Sequence, residues 1–74
     1  MKREILVDAR DQAPPEPMEQ VLAALDTLKT GEHVRFIAPR EPLPLYPLLR
    51  RMGCTHTTHL QADGSYVVLI QPPE

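Results

Sequence analysis

The stretch ILVDARDQAPPEPMEQVLAALDTLKTG, residues 5–31, changes its hydrophobic period part-way along, and that change decides the fold. Ile5-Leu6-Val7 is a short aliphatic and β-branched run closed by Asp8, which reads as a strand. The polar segment from Ala9 ends in Pro14-Pro15-Glu16-Pro17, a stiff loop leading into a helix. Met18, Val21, Leu22, Leu25 and Leu28 then recur at steps of three and four, which places them on one stripe. Pro15 and Pro17 fall in the first turn, where amide hydrogens have no intrahelical partner anyway. Glu16 and Glu19 sit where the helix dipole favours negative charge. Gly31, after Lys29-Thr30, is a C-terminal stop. A helix is predicted from about Pro15 to Lys29.

The same grammar repeats downstream. His33 to Ala38 is a second strand with Val34, Phe36 and Ile37 as its apolar content, ended by Pro39. Arg40-Glu41-Pro42-Leu43-Pro44 is a second proline-rich lead-in, and Leu45, Leu48, Leu49 and Met52 give a shorter helical stripe. A helix starting near Pro44 or Leu45 keeps Pro47 in or beside its first turn, and Gly53 stops it. Cys54 to Leu60 reads as a third strand rich in threonine. Ala62-Asp63-Gly64-Ser65 is a hairpin turn with the favoured Asp-Gly pair, and Tyr66 to Ile70 is a fourth strand.

The order is β-α-β-α-β-β. Each helix has one apolar stripe, so the expected architecture is α+β: a two-layer α/β sandwich in which a four-stranded mixed sheet carries two helices on one face. Residues 1–74 make a single domain. Tyr66-Val67-Val68-Leu69-Ile70 is apolar on both faces of its strand. Its helix-free side holds scattered surface aliphatics or meets another chain, so a homodimer through the open sheet face is one expectation.

A chain of 74 residues buries roughly 60–65% of the surface its unfolded form exposes, so a partner contact matters to its stability. The hydrophobic fraction of 42% and charged fraction of 24% are those of a globular chain and argue against disorder. Eight Lys+Arg against ten Asp+Glu give a net charge of −2, which exerts no general pull on nucleic acid or anionic membrane. The Arg50-Arg51 pair reads as a solvated helix end complementing the dipole. The one cysteine, Cys54, cannot form an internal disulfide. The first eight residues hold too short an apolar run for a signal peptide core or a membrane span, so a cytoplasmic location is expected.

The chemistry-bearing residues are few. At the first helix, Pro15 and Pro17 remove amide donors and Glu16 and Glu19 add negative charge, so an anion site is disfavoured. Pro15, Glu16 and Pro17 read instead as a rigid docking surface or simply a helix start. In the second loop Arg40, Glu41 and Tyr46 are held between prolines, which lowers the entropy lost on binding, and Arg and Tyr are common interface anchors. The plainer reading makes Arg40 and Glu41 solvated charges and packs Tyr46 partly on the helix. Cys54, His56 and His59 suggest a metal, but strand alternation puts Cys54 and His56 on one face and His59 on the other. No metal or cofactor is expected. Cys54 follows a helix C-terminus, where the dipole raises a thiol pKa while Arg50 and Arg51 oppose it, so a small buried or half-buried strand residue is the plainer reading. Asp8 reads as a turn cap more readily than as a functional strand-end carboxylate. There is no Ser-His-Asp or Cys-His pairing and no Gly-rich phosphate loop, so a non-enzymatic protein is expected.

With Leu6-Val7-Asp8 followed by Pro14-Pro15-Glu16-Pro17, and with the β-α-β-α-β-β order, the chain resembles the TusA/SirA sulfur-carrier family. In that family the corresponding loop reads Cys-Pro-x-Pro, often with Glu third, and its cysteine takes up a persulfide and hands it on, for example toward tRNA thiolation. Pro14 occupies the cysteine's place and has no nucleophile. The sequence is closer to an uncharacterised bacterial branch of that fold with a stretch like Arg40-Glu41-Pro42-Leu43-Pro44-Leu45-Tyr46. Relatives in that branch occur joined to hemerythrin-like or cupin domains, which implies redox or metal-related protein partners. The resemblance thus implies a binding or regulatory module that kept a docking surface and lost its persulfide carrier. The alternatives are a sulfur-transfer or redox protein using Cys54, and a small-ligand or metal-binding protein in a redox pathway.

Overall fold

The computed structural model describes residues 3–11 and 16–73. Its elements run β1 (Glu4–Asp8), α1 (Glu16–Asp26), β2 (His33–Ala38), α2 (Leu45–Arg51), β3 (Thr55–Leu60) and β4 (Tyr66–Gln71). The sheet order is β1-β2-β4-β3. β1 lies parallel to β2, and β4 is antiparallel to both β2 and β3, so the sheet is mixed as expected. Pro14 and Pro15 lie outside the described residues; Glu16 and Pro17 open α1, and their side chains are likewise outside the description.

Register fixes which side chains meet. Val7 opposes Phe36, and Phe36 opposes Val68, so these three share a sheet face. They enter one buried cluster with Val34, Ala38 and Ile70 from the sheet, Val21 and Leu25 from α1, and Leu45 and Leu49 from α2. Both helices therefore cover the same face, and the two-layer α+β reading stands. At about 25 cal/mol for each Å² of apolar surface removed from water, this shared face is the main source of stability.

The helix ends differ from the expected ones for local reasons. α1 stops at Asp26 rather than Lys29. The Thr27 hydroxyl and amide both donate to the Ala24 carbonyl, and Leu28 N–H donates to Leu25 O, so the last turn tightens. Lys29 N–H then turns to Glu32 Oε1 at 2.8 Å. In α2, Pro44 is the N-cap residue, so Pro47 falls in the first turn, where its missing N–H costs no helical bond. At the other end Gly53 takes φ +76, with Gly53 N–H on Arg50 O and Cys54 N–H on Leu49 O. This is a Schellman cap, and it uses the Cys54 amide. β3 consequently begins at Thr55 rather than Cys54.

The β3–β4 hairpin also corrects the sequence reading. A two-residue Asp-Gly turn needs positive φ at both central positions, and here only Gly64 has it. Gln61 N–H instead donates to Ser65 O and Gly64 N–H to Gln61 O, giving a three-residue loop with Gly64 left-handed. Asp63 ties this loop by accepting from both the amide and the hydroxyl of Ser65.

Candidate functional site

Parallel β1 and β2 send their following loops out of the same end of the sheet, and the antiparallel register brings the β3–β4 hairpin there too. The loop after β1, the loop after β2 and the hairpin therefore gather at one end, where open α/β sheets commonly build sites. Asp8 closes β1 and accepts the Arg10 amide at 3.2 Å, the turn-capping role expected of it. The Arg10 guanidinium also grips Asp8 at 3.0 and 2.7 Å and reaches Asp63 at 3.7 Å. Arg10 thus bridges the end of β1 to the hairpin. Hydrogen bonds from Arg10 hold the Asp8 carboxyl below the usual range; those from Ser65 do the same for Asp63.

Within the second loop, Leu43 N–H donates to Glu41 O and Leu45 N–H to Pro42 O, so the backbone is tightly turned as well as proline-rich. Tyr46 is half-buried and anchors this loop to β3. Its hydroxyl donates to Glu41 Oε2 at 3.2 Å and shares a 2.7 Å bond with Thr58 Oγ1. Its ring stacks on His56, with centroids 4.5 Å apart and planes 8° from parallel. Burial, first, then the Glu41 carboxylate push the phenol above its ordinary value. Tyr46 reaches from α2 onto β3, and its polar tip is already engaged.

Of the sequence candidates, Glu41 and Tyr46 converge, whereas Arg40 projects as an exposed cation that makes no hydrogen bond or ion pair among the described residues. Leu43 stands beside it at 61% exposure. The loop therefore offers an apolar and a cationic group on a braced backbone. Arg10 and Leu43 were not legible as site residues. The prolines around Leu43 were the available signal that it need not pack inward.

Cys54 is buried, and that burial pushes its thiol above the ordinary value. His56 lies on the helix face and His59 on the other, as alternation requires. His33 Nε2 meets Glu4 Oε2 at 2.8 Å, and Arg35 meets Glu4 Oε1 at 2.9 Å, on the helix-free face. Among the described residues no three His, Cys, Asp or Glu side chains gather. On that open face Val67 is buried and Leu69 half-buried, while Leu6 is 59% exposed. At the end opposite the three loops lies an open groove of about 550 Å³, lined by Glu32, His33, Thr55 and Gln71 among others. Several of its polar groups bond within the chain: Glu32 to Arg3, His33 to Glu4, Thr55 to Gln71. No helix among the described residues is long and apolar enough to cross a membrane.

The fold and its loop-bearing end define a small α+β domain. Residues 6–72 match the family described as an uncharacterised conserved protein, DUF2249, and the chain belongs to that family. No curated protein and no solved structure matches it.

Proposed function

We propose that this chain is a non-enzymatic protein-docking module on a TusA/SirA-like fold. The observation that carries the reading is the second loop. Its backbone is fixed by Pro42, Pro44 and the Tyr46–Glu41–Thr58 contacts, and it leaves Arg40 and Leu43 exposed. A surface ordered before binding loses little entropy on docking. Pro14 stands where sulfur carriers keep their nucleophile, so the fold retains the docking end without the cargo residue. The partner fitting the resemblance is a redox or metal protein, hemerythrin-like or cupin among them, in the cytoplasm.

The test is site-specific photo-crosslinking in the native cell. A crosslinker at Arg40 or Leu43 should give a discrete protein adduct, and one at Ala23 on the exposed side of α1 should not. Adducts equal at all three positions, or absent at Arg40 and Leu43, sink the reading. A separate incubation with a cysteine desulfurase and free cysteine should leave the intact mass unchanged. A gain of one sulfur that disappears in Cys54→Ala would move the function to sulfur transfer.

A further inference from the structure

The direction of each backbone group in the sheet follows from two hydrogen bonds. His33 N–H donates to Arg3 O, and Ala9 N–H donates to Ile37 O, so the odd-numbered residues of β2 turn their backbone groups toward β1. Alternation turns Val34, Phe36 and Ala38 toward β4, where Ile70, Val68 and Tyr66 answer them. Val67, Leu69 and Gln71 then face β3 and meet His59, Thr57 and Thr55. The Gln61 N–H to Ser65 O bond fits the same sequence. The backbone groups of His56, Thr58 and Leu60 are left pointing off the edge of the sheet.

Edge strands are usually guarded by charge, proline or a bulge. β1, the other edge, carries Glu4 and Asp8, and Arg10 folds over its end. β3 reads Thr-His-Thr-Thr-His-Leu: six residues with no Lys, Arg, Asp, Glu or Pro, paired to β4 without an interruption. Leu60, at its end, is 66% exposed although its register with Tyr66 puts it on the helix face.

We propose that β3 is a self-association edge, on which two copies of the chain pair antiparallel about a two-fold axis at Thr58 to form one continuous sheet. In that register Thr58 opposes its own copy, and His56 opposes Leu60 of the second copy. Every outward N–H and C=O of the three residues then finds a partner. Thr–Thr pairing is favourable across antiparallel strands, and no like charges meet. The exposed Leu60 gains a cover in the His56 ring. Each α2 lies against β3, with Leu45 and Leu49 in the same buried cluster as Val68 and Ile70. A single strand pair buries less than a standard stable interface, so the dimer is weak and reversible. This inference is independent of the loop-end docking surface and places self-association at the edge rather than on the open sheet face.

The test combines sedimentation of the full chain from micromolar to millimolar concentration with amide hydrogen exchange. A reversible dimer is expected, with His56, Thr58 and Leu60 amides gaining protection as concentration rises. The Thr55, Thr57 and His59 amides, bonded to β4, should be protected throughout. Leu60→Pro removes an outward donor without touching a bond to β4, and Leu60→Lys places charge at the edge. Each should keep the monomer's circular dichroism spectrum and weaken dimerisation at least about tenfold, because symmetry doubles the change. A strict monomer at millimolar concentration overturns the proposal. So does a dimer that both variants leave at full strength, or one whose edge amides stay fast-exchanging.

Discussion

Replacing Tyr46 by phenylalanine removes one hydroxyl and keeps the ring on His56. Two bonds are lost: one of 3.2 Å to the exposed Glu41 carboxylate and one of 2.7 Å to the half-buried Thr58 hydroxyl. The first, in solvent, contributes little. The second carries a net value of about 1 kcal/mol, as an ordinary intramolecular hydrogen bond does. Thr58→Val removes the same bond from the other side but also alters strand propensity, so neither single variant isolates it. The cycle of Tyr46→Phe, Thr58→Val and the double variant does. The expected coupling is about 0.5–1.5 kcal/mol by urea denaturation. In a domain of this size each kcal/mol corresponds to about 4–8 °C in Tm. The three variants should show equal denaturant slopes. Additive single effects, with coupling inside experimental error, would refute the claim that Tyr46 ties the second loop to β3, and with it the braced docking surface.

Gly53→Ala should destabilise the protein by about 1–2 kcal/mol in the same assay, because a left-handed backbone opposes any Cβ. The added Cβ would also sit 3.3 Å from Pro73 Cβ. Carboxyl carbon NMR should place the Asp8 midpoint below the usual carboxylate range, and Arg10→Gln should raise it toward that range. A depressed folded pKa contributes stability above the unfolded value and loses it as pH falls through the folded one. The Arg10→Gln variant should therefore differ from wild type at neutral pH and converge with it in acid. Cys54, buried and with a raised thiol pKa, should react slowly with iodoacetamide at neutral pH and quickly once urea unfolds the chain. Rapid alkylation of the native protein would contradict its placement in the core.

Much of this architecture was legible in the sequence because the hydrophobic period changes cleanly between elements. Val34, Phe36 and Ala38 alternate with half-buried residues over His33–Ala38, the same bounds that the sequence suggests. The glycines at 31, 53 and 64 all sit at positive φ, where the chain turns. What escaped was decided by competition for single backbone groups. Thr27 takes a carbonyl from the end of α1, and the α2 cap claims the Cys54 amide; neither choice leaves a periodic signal. At the candidate site, Glu41 and Tyr46 stood out because both lie in one proline-rich stretch, but the hydrogen bond between them left no sequence signal. Thr58 and His56, which hold Tyr46 from a strand further on, were not legible, since a contact across that separation exists only once the sheet has formed. Arg10 sat in a polar stretch without a pattern, and its reach to Asp63 depends on the loop after β1 meeting the hairpin.

The register of the sheet has a mechanical consequence. Glu4 begins β1 opposite His33, and Gln71 ends β4 beside the same end of β2, so the chain enters and leaves the sheet at one pole. Only β2 stands between them, which puts the two points about 10 Å apart. The braced loops occupy the other pole. A fluorophore, a surface tether or a fused domain attached at either side would pull on the molecule from behind, leaving the loop end facing outward like the head of a peg.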